Sequence, residues 1–119
     1  MVVSGPGMTN TISGMAEALV NKRPMIVLGG ASDSSLEGQG GFQEFDQVAC
    51  AKPVCKYVAR PSSIQHIPIV VERAVKMSMY GTPGPCYIDL PHNLLYGKVS
   101  EELVRYLPRV EPLPTLLLP

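Results

Sequence analysis

Short, continuous apolar runs along the chain alternate with longer stretches in which apolar residues recur every three or four positions. The run at 25–28 is followed by two glycines, and such a run is typical of a parallel strand that helices cover on both faces. Further strands are predicted at 56–59 and 86–90. We interpret Val2 and Val3 as the last residues of a strand that begins before the chain does.

Helical patterns lie between these strands. The spacing of apolar and small residues predicts a first helix over 9–22, which Pro24 prevents from continuing. A loop rich in glycine and serine follows at 31–41. A short second helix is predicted over 42–50, where polar residues surround three apolar ones.

The longest helical pattern runs over 64–79. Ser62 and Gln65 have the Ser-x-x-Gln spacing of a capping box, in which each side chain satisfies a free backbone N–H group. Because Pro68 lies inside the pattern, we expect either a kink or a later start of the helix. The alternation of strands and helices predicts an α/β fold, a parallel sheet with flanking helices.

The predicted organisation divides the chain at residue 97. Residues 1–97 are expected to form part of a domain, because three or four strands make a thin sheet. Beyond this point prolines recur, at Pro108, Pro112, Pro114 and Pro119. Residues 98–119 are therefore predicted to be a linker or a non-native tail.

Composition narrows the classes of function. The 119 residues are 45% hydrophobic and 17% charged, with a formal net charge of +0. Nothing resembles the basic surface of a nucleic-acid-binding protein or of a membrane-surface helix, so we expect neither partner. The three cysteines have no CxxC spacing and the two histidines lie in no ligand pattern. We therefore expect no metal site, and thiols buried in a reducing compartment.

The first candidate for chemistry is the turn Ser4-Gly5-Pro6-Gly7, between a strand end and a helix start. Free backbone N–H groups and flexible glycines at such a junction favour a phosphate site. A tight turn needs the same glycines, so a purely structural role is the alternative.

Two other places are ambiguous from the residues alone. Phe42 is expected to be a core residue beside a solvated Gln43. Asp89 stands near the carboxyl end of a strand, where α/β proteins bind ligands. The same aspartate also suits a strand terminus that is followed by a turn.

Several motifs occur in a fixed order and together resemble one enzyme family. They are SGPGMTN, PMIVLGGAS, GGFQEFDQVACAKPVCK and GTPGPCYIDLP. This set resembles the pyrimidine-binding domain of thiamine-diphosphate enzymes of the acetohydroxyacid synthase type. The stretches ARPSSIQHIP and SMYGTPGPCYIDLP are most similar to 2-hydroxyacyl-CoA lyases. Oxalyl-CoA decarboxylases are the near neighbours, and the resemblance covers residues 2–99.

The resemblance implies a location for the cofactor. In this family thiamine diphosphate lies between the pyrimidine domain of one subunit and the diphosphate domain of another. Mg²⁺ and the diphosphate would then be held outside this chain, which corrects the phosphate hypothesis. Gly5, Pro6, Gly7 and Asn10 would line the aminopyrimidine and thiazolium side. A homo-oligomer is also implied.

The resemblance also implies catalytic roles and a reaction. Gln43 would hydrogen-bond a substrate carbonyl or hydroxyl group, and Phe42 would shield the reacting centre from water. From the residues alone, Glu44 is expected on a solvated helix face, near enough to Gln43 to help orient it. The expected reaction cleaves a 2-hydroxyacyl-CoA, such as one from 2-hydroxy fatty acids or phytanate, to an aldehyde and formyl-CoA. Lys52 and Lys56 are candidates for contact with acyl-CoA phosphates, although exposed lysines are the default.

Two departures from the family pattern limit this expectation. The glutamate that activates the cofactor is expected before Val2, so the chain alone is expected to be inactive. The loop at 81–84 carries threonine where the family often has arginine.

A peroxisomal location is implied by the resemblance alone. Without the resemblance, the cytoplasm is the expected location. Alternatives are an oxalyl-CoA decarboxylase or acetohydroxyacid synthase-like fragment, and a non-catalytic interaction module.

Overall fold

A computed structural model of the chain describes residues 1–114. Its centre is a parallel sheet of three strands: β1 (Met25–Ala31), β2 (Tyr57–Ala59) and β3 (Pro85–Pro91). β3 lies in the middle, pairing with β1 on one side and β2 on the other. With helices on both faces of this sheet, the predicted α/β class is confirmed.

Val2 extends the sheet beyond β1. Its N–H group bonds the Leu28 carbonyl at 2.8 Å, and the Gly30 N–H group bonds the Val2 carbonyl at 2.9 Å. This single parallel bridge agrees with the interpretation of Val2 as a strand end. It also brings the turn that follows Val2 to the carboxyl edge of the sheet.

The helix predicted over 9–22 corresponds to the shorter α2 (Ile12–Val20), and a separate short helix, α1 (Pro6–Thr9), precedes it. The break has a local cause, because Thr11 bonds the Met8 carbonyl through both its backbone N–H group at 2.9 Å and its hydroxyl at 2.6 Å. A threonine side chain that binds a preceding carbonyl competes with the regular helical pattern.

The second helix begins later than predicted. α3 spans Gln47–Ala51 and not 42–50. Asp46 determines this start, since its carboxylate accepts the Ala49 N–H group at 2.9 Å, and aspartate is a preferred N-cap residue. Residues 42–46 consequently form a loop.

α4 (Ile67–Met79) begins at the later of the two predicted points. Pro68 lies in its first turn, where a missing N–H group breaks no helical bond. The predicted capping box is wrong. Ser62 instead faces the His66 Nδ1 atom at 3.4 Å, across a 3₁₀ turn at Ile64–His66.

The sheet separates two apolar clusters, and alternate residues of β3 belong to each. On one face, α4 packs on the even-numbered residues of β3; the cluster is Val70, Ala74, Cys86, Ile88 and Leu90. On the other face, helices α1–α3 cover the opposite side of the sheet; the cluster is Met8, Met15, Val27, Ala51 and Tyr87. Burial of each large side chain stabilises the fold by about 1.5–3 kcal/mol.

The segment after β3 forms a short helix, α5 (His92–Tyr96), and a 3₁₀ turn at Glu101–Leu103. Residues 104–110 lie beside α4 and line a groove of about 560 Å³ with it. Residues 115–119, the end of the predicted tail 98–119, lie outside the described residues. Within 1–114, no helix has the length and apolar character that crossing a bilayer requires.

Candidate functional site

The carboxyl ends of the strands meet at one edge of the sheet, and the candidate residues gather there. β1 ends at Ala31 and β3 at Pro91, directly opposite each other. The turn after Val2 and the loop at 42–46 both reach this edge. In α/β proteins this edge is the usual place for ligands.

Gly5 and Gln43, which are far apart in the chain, lie in direct contact. Gly5 has a φ of 65°, and a Cβ atom built on it would lie 2.9 Å from the Gln43 Cβ atom. The Ser4 hydroxyl donates a hydrogen bond of 2.9 Å to Gln43 Oε1. Two of the predicted site elements are therefore brought together, and only glycine fits at their contact.

The two elements border an open cavity of about 390 Å³. It is lined by Gly5, Pro6, Thr9, Gln43, Glu44 and Phe45. Gln43 has a φ of 56°, a conformation that costs a non-glycine residue roughly 1–3 kcal/mol and is concentrated at functional sites. Among residues 1–114 the side-chain nitrogen of Gln43 has no hydrogen-bond partner, so it can donate to a ligand.

Phe42 is 84% exposed, so the expectation of a core phenylalanine is wrong. Phe42 lies in the loop at 42–46, next to Gln43, whose backbone is left-handed. Its ring borders a second cavity of about 300 Å³ at the same edge, with Ser4 and His92 among the lining residues.

Not every predicted cofactor-binding residue lies at the cavity. Gly7 serves packing, since a Cβ atom there would lie 2.6 Å from Val3 Cγ2. Asn10 ends α1 with its backbone N–H group bonded to the Pro6 carbonyl, and it is exposed outside the cavity lining. Thr9 lines the cavity instead, although no motif or spacing indicates this.

Glu44 holds the loop that carries Phe42 and Gln43. Its carboxylate accepts the Gly38 N–H group at 2.6 Å and the Gly41 N–H group at 3.0 Å. These two bonds, first that from Gly38, lower the pKa of Glu44 below its usual range. The predicted place of this carboxylate on a helix face is wrong, because Glu44 belongs to a loop that it closes.

A buried polar network beneath the cavity was not predicted from the sequence. Gln47 is 1% exposed and Asp89 is fully buried. Arg60 reaches Asp89 Oδ2 through Nε and Nη2, both at 2.8 Å. The Tyr87 hydroxyl donates to Asp89 Oδ1 at 2.7 Å. Burial, and then the bond to Asp89, raise the pKa of Tyr87 far above its usual value, so it stays protonated.

One signal in the sequence was available for this network. A carboxylate in the central strand of a sheet must find donors, because a buried unpaired charge is very costly. The position of Asp89 alone suggests only a ligand or a strand terminus. Its partners Arg60 and Gln47 lie 29 and 42 residues away, so chain spacing does not reveal them.

The two lysines that are candidates for phosphate contact differ. Lys56 donates to the Met77 carbonyl and, at 3.0 Å, to the Tyr80 carbonyl, so it caps the end of α4. Lys52 is exposed. Within the described part of the chain, no group of three histidine, cysteine, aspartate or glutamate residues can hold a metal ion.

Comparison with known proteins finds a matching family and several similar proteins. Residues 1–50 match the family described as thiamine pyrophosphate enzyme, N-terminal TPP binding domain. The chain is 45% identical to human 2-hydroxyacyl-CoA lyase 1 over 109 residues, which is 92% of this chain. It is 39% identical to 2-hydroxyacyl-CoA lyase 2 of Caenorhabditis elegans over 80% of the chain, and 37% to 2-hydroxyacyl-CoA lyase of Arabidopsis thaliana over 85%.

The chain belongs to the thiamine pyrophosphate enzyme family. Its similarity to 2-hydroxyacyl-CoA lyases extends over most of its length. The chain spans 19% of the human relative, 15% of the nematode relative and 18% of the plant relative. The match therefore concerns one segment of a thiamine pyrophosphate enzyme.

The residues at the cavity fit the ring part of thiamine diphosphate better than its diphosphate. The Gln43 amide offers a hydrogen-bond donor, and Pro6 and Phe45 offer apolar surface. The only charged side chain in the lining is that of Glu44, and a carboxylate repels phosphate. The Gly5 N–H group, which a phosphate would need, is already bonded to Gln47 Oε1 at 2.8 Å.

Proposed function

We propose that this chain supplies the ring-facing half of the thiamine diphosphate site in a 2-hydroxyacyl-CoA lyase. The observation that carries the proposal is the contact between Gly5 and Gln43 at the carboxyl edge of the sheet. It places a glycine turn beside a strained glutamine with a free amide nitrogen, in a chain whose relatives are named 2-hydroxyacyl-CoA lyase.

The proposed reaction cleaves the carbon–carbon bond of a 2-hydroxyacyl-CoA and yields an aldehyde and formyl-CoA. When bound, thiamine diphosphate supplies an electron sink for the cleaved bond. Its diphosphate and Mg²⁺ are assigned to a domain outside this chain. The chain alone is expected to be inactive, because no group of three histidine, cysteine, aspartate or glutamate residues within 1–114 can hold a metal ion and no cation lines the cavity.

The residues of this chain bind and orient. Gly5 and Pro6 shape the surface beneath the cofactor ring and Gly7 supports the turn, while Asn10 lies at the end of α1, outside the cavity lining. Gln43 donates through its free amide nitrogen to a carbonyl or hydroxyl oxygen of the acyl-CoA substrate. Its carbonyl oxygen is held by Ser4, which fixes the direction of that nitrogen.

Phe42 is assigned to the exclusion of water from the reacting centre. An exposed phenylalanine on the rim of a site requires a cover, and we assign that cover to a second subunit of a homo-oligomer. We further propose, from the lyase relatives, a peroxisomal role in fatty acid α-oxidation. Neither nucleic acid nor membrane is proposed as a partner.

A chimaera tests this proposal directly. The aligned segment of human 2-hydroxyacyl-CoA lyase 1 is replaced by residues 2–99 of this chain, and cleavage of 2-hydroxyacyl-CoA and oxalyl-CoA is measured. We expect aldehyde and formyl-CoA from the first substrate. A chimaera that binds thiamine diphosphate but does not cleave 2-hydroxyacyl-CoA would reject the lyase assignment. Turnover of oxalyl-CoA alone would favour a decarboxylase.

The purified 119-residue chain provides the matching control. It should show no lyase turnover and no micromolar binding of thiamine diphosphate. If the chain co-purified with a full-length lyase subunit and the chimaera showed no turnover, a non-catalytic interaction module would be favoured instead.

A further inference from the structure

The amide of Gln47 links the glycine turn to the central strand. Its Oε1 atom accepts the Gly5 N–H group at 2.8 Å. Its Nε2 atom lies 2.8 Å from Asp89 Oδ1, 3.0 Å from the Tyr87 hydroxyl and 3.0 Å from the Gly30 carbonyl. One buried side chain therefore contacts the turn, β1 and β3 together.

Only one orientation of this amide satisfies its surroundings. The Gln47 nitrogen faces three oxygen atoms, and the Gln47 oxygen faces a single N–H group. A flipped amide would set its oxygen against the Asp89 carboxylate and its nitrogen against the Gly5 N–H group. Both contacts would then be repulsive in a buried site.

The carboxylate that selects this orientation is itself fixed. Arg60 binds Asp89 Oδ2 through two nitrogen atoms at 2.8 Å, which holds the carboxylate in place. The other carboxylate oxygen, Oδ1, is left for Tyr87 and Gln47. The chain of contacts from Arg60 to Gly5 is thus continuous and buried at its centre.

We propose that Gln47 is a positioning residue for the cofactor-facing turn: its amide holds Gly5 against Gln43, and the Arg60–Asp89 ion pair holds that amide in its one workable orientation. This inference rests on the proposed function for the meaning of the site, since Gln47 touches neither substrate nor cofactor. The hold of Gln47 on the turn itself requires no ligand.

Amide hydrogen exchange of the ¹⁵N-labelled 119-residue chain, followed by NMR, tests the inference. The reporter is the Gly5 amide, and the Met15 amide, bonded to the Thr11 carbonyl at 2.9 Å, is the reference for global opening. Gln47→Leu should lower the protection of Gly5 by roughly tenfold more than that of Met15. Gln65→Leu, at an exposed glutamine, should change neither.

Equal loss of protection at Gly5 and Met15 would overturn the inference, because Gln47 would then be only a stability residue. Unchanged protection of Gly5 would overturn it as well.

A second pair of variants keeps the test decisive if Gln47→Leu does not fold. Gln47→Glu places a second carboxylate beside Asp89, where two ionised groups cannot coexist without cost. Protection of Gly5 should therefore be high near about pH 5 and lost near about pH 8. Adding Asp89→Asn should restore it at both. Protection in Gln47→Glu that does not depend on pH would contradict the inference.

This experiment is separate from the lyase assay. A chimaera without turnover, together with the expected Gly5 result, would reject the lyase and leave the positioning role intact. Turnover by the chimaera, together with a Gly5 protection that Gln47→Leu leaves unchanged, would reject the positioning role alone.

Discussion

The hydroxyl of Ser4 donates a hydrogen bond of 2.9 Å to the side-chain oxygen of Gln43, across 39 residues of chain. This bond joins the turn that follows the first bridge of the sheet to the loop before α3. It leaves the Gln43 nitrogen facing the cavity. The candidate site depends on this union of two segments, neither of which forms a site alone.

Gly29 is expected to be intolerant of any side chain. The Tyr87 ring occupies the space where a Cβ atom would be placed on Gly29. Gly29→Ala should displace the Tyr87 hydroxyl from Asp89 and Gln47 and lower the free energy of unfolding by about 2–3 kcal/mol. Urea denaturation of the purified chain measures this.

Gly14 provides the matched control for that substitution. It lies in α2, is exposed, and has no atom within 4 Å of the position that a Cβ atom would take. Gly14→Ala should raise the free energy of unfolding by about 0.5–1 kcal/mol, because alanine favours the helix. If Gly29→Ala and Gly14→Ala changed the free energy of unfolding in the same direction, the close contact between Gly29 and the Tyr87 ring would be contradicted.

Arg60 is expected to be the largest single electrostatic contributor to the network. Arg60→Ala leaves the fully buried Asp89 carboxylate without a cation. Because a third of the Arg60 side chain is exposed, we expect a loss of about 3 kcal/mol in the free energy of unfolding, the low end for a broken buried pair. Arg73→Ala, on the exposed face of α4, should change it by less than about 0.5 kcal/mol.

The half-buried Cys55 thiol and the buried Cys86 thiol predict a loss of stability at alkaline pH. Burial raises the pKa of Cys55 to about 12 and that of Cys86 to about 11, against about 8.5 in an unfolded chain. As the pH rises past about 8.5, the unfolded thiols lose protons first. The folded state therefore loses relative stability until the folded pKa values are passed.

Denaturant unfolding between about pH 7.5 and pH 10.5 measures this dependence. Cys55→Ala should show a shallower decline than the unmodified chain, since one of the shifted groups is gone. A free energy of unfolding that is flat across this range would show that the thiols are accessible in the folded protein.

Much of the fold was predictable because its determinants are local. The continuous apolar run at 25–28 marks β1, although the strand extends to Ala31 through two glycines. Pro68 correctly limited the start of α4. α3 was misplaced because the capping strength of Asp46 outweighed the apolar pattern that includes Phe42.

The site was less predictable, for a physical reason. The turn at Gly5 is a candidate from the residues alone, whereas Gln43 is a candidate only through the family resemblance. Their contact depends on a left-handed backbone at Gln43 that no residue type requires. Gln47 and Arg60 act through partners far along the chain, so their roles exist only in the folded structure. The composition and periodicity of the sequence do not indicate such contacts.

The turnover of two variants of the chimaera tests the central claim most directly. Gln43→Ala removes the amide that faces the cavity, and Gln65→Ala removes an exposed amide elsewhere. We predict that Gln43→Ala lowers kcat for 2-hydroxyacyl-CoA by about 10²-fold, typical of a lost donor at a reacting oxygen, while Gln65→Ala leaves it unchanged. Equal kcat values for the two variants would contradict the assignment of this edge of the sheet as the site.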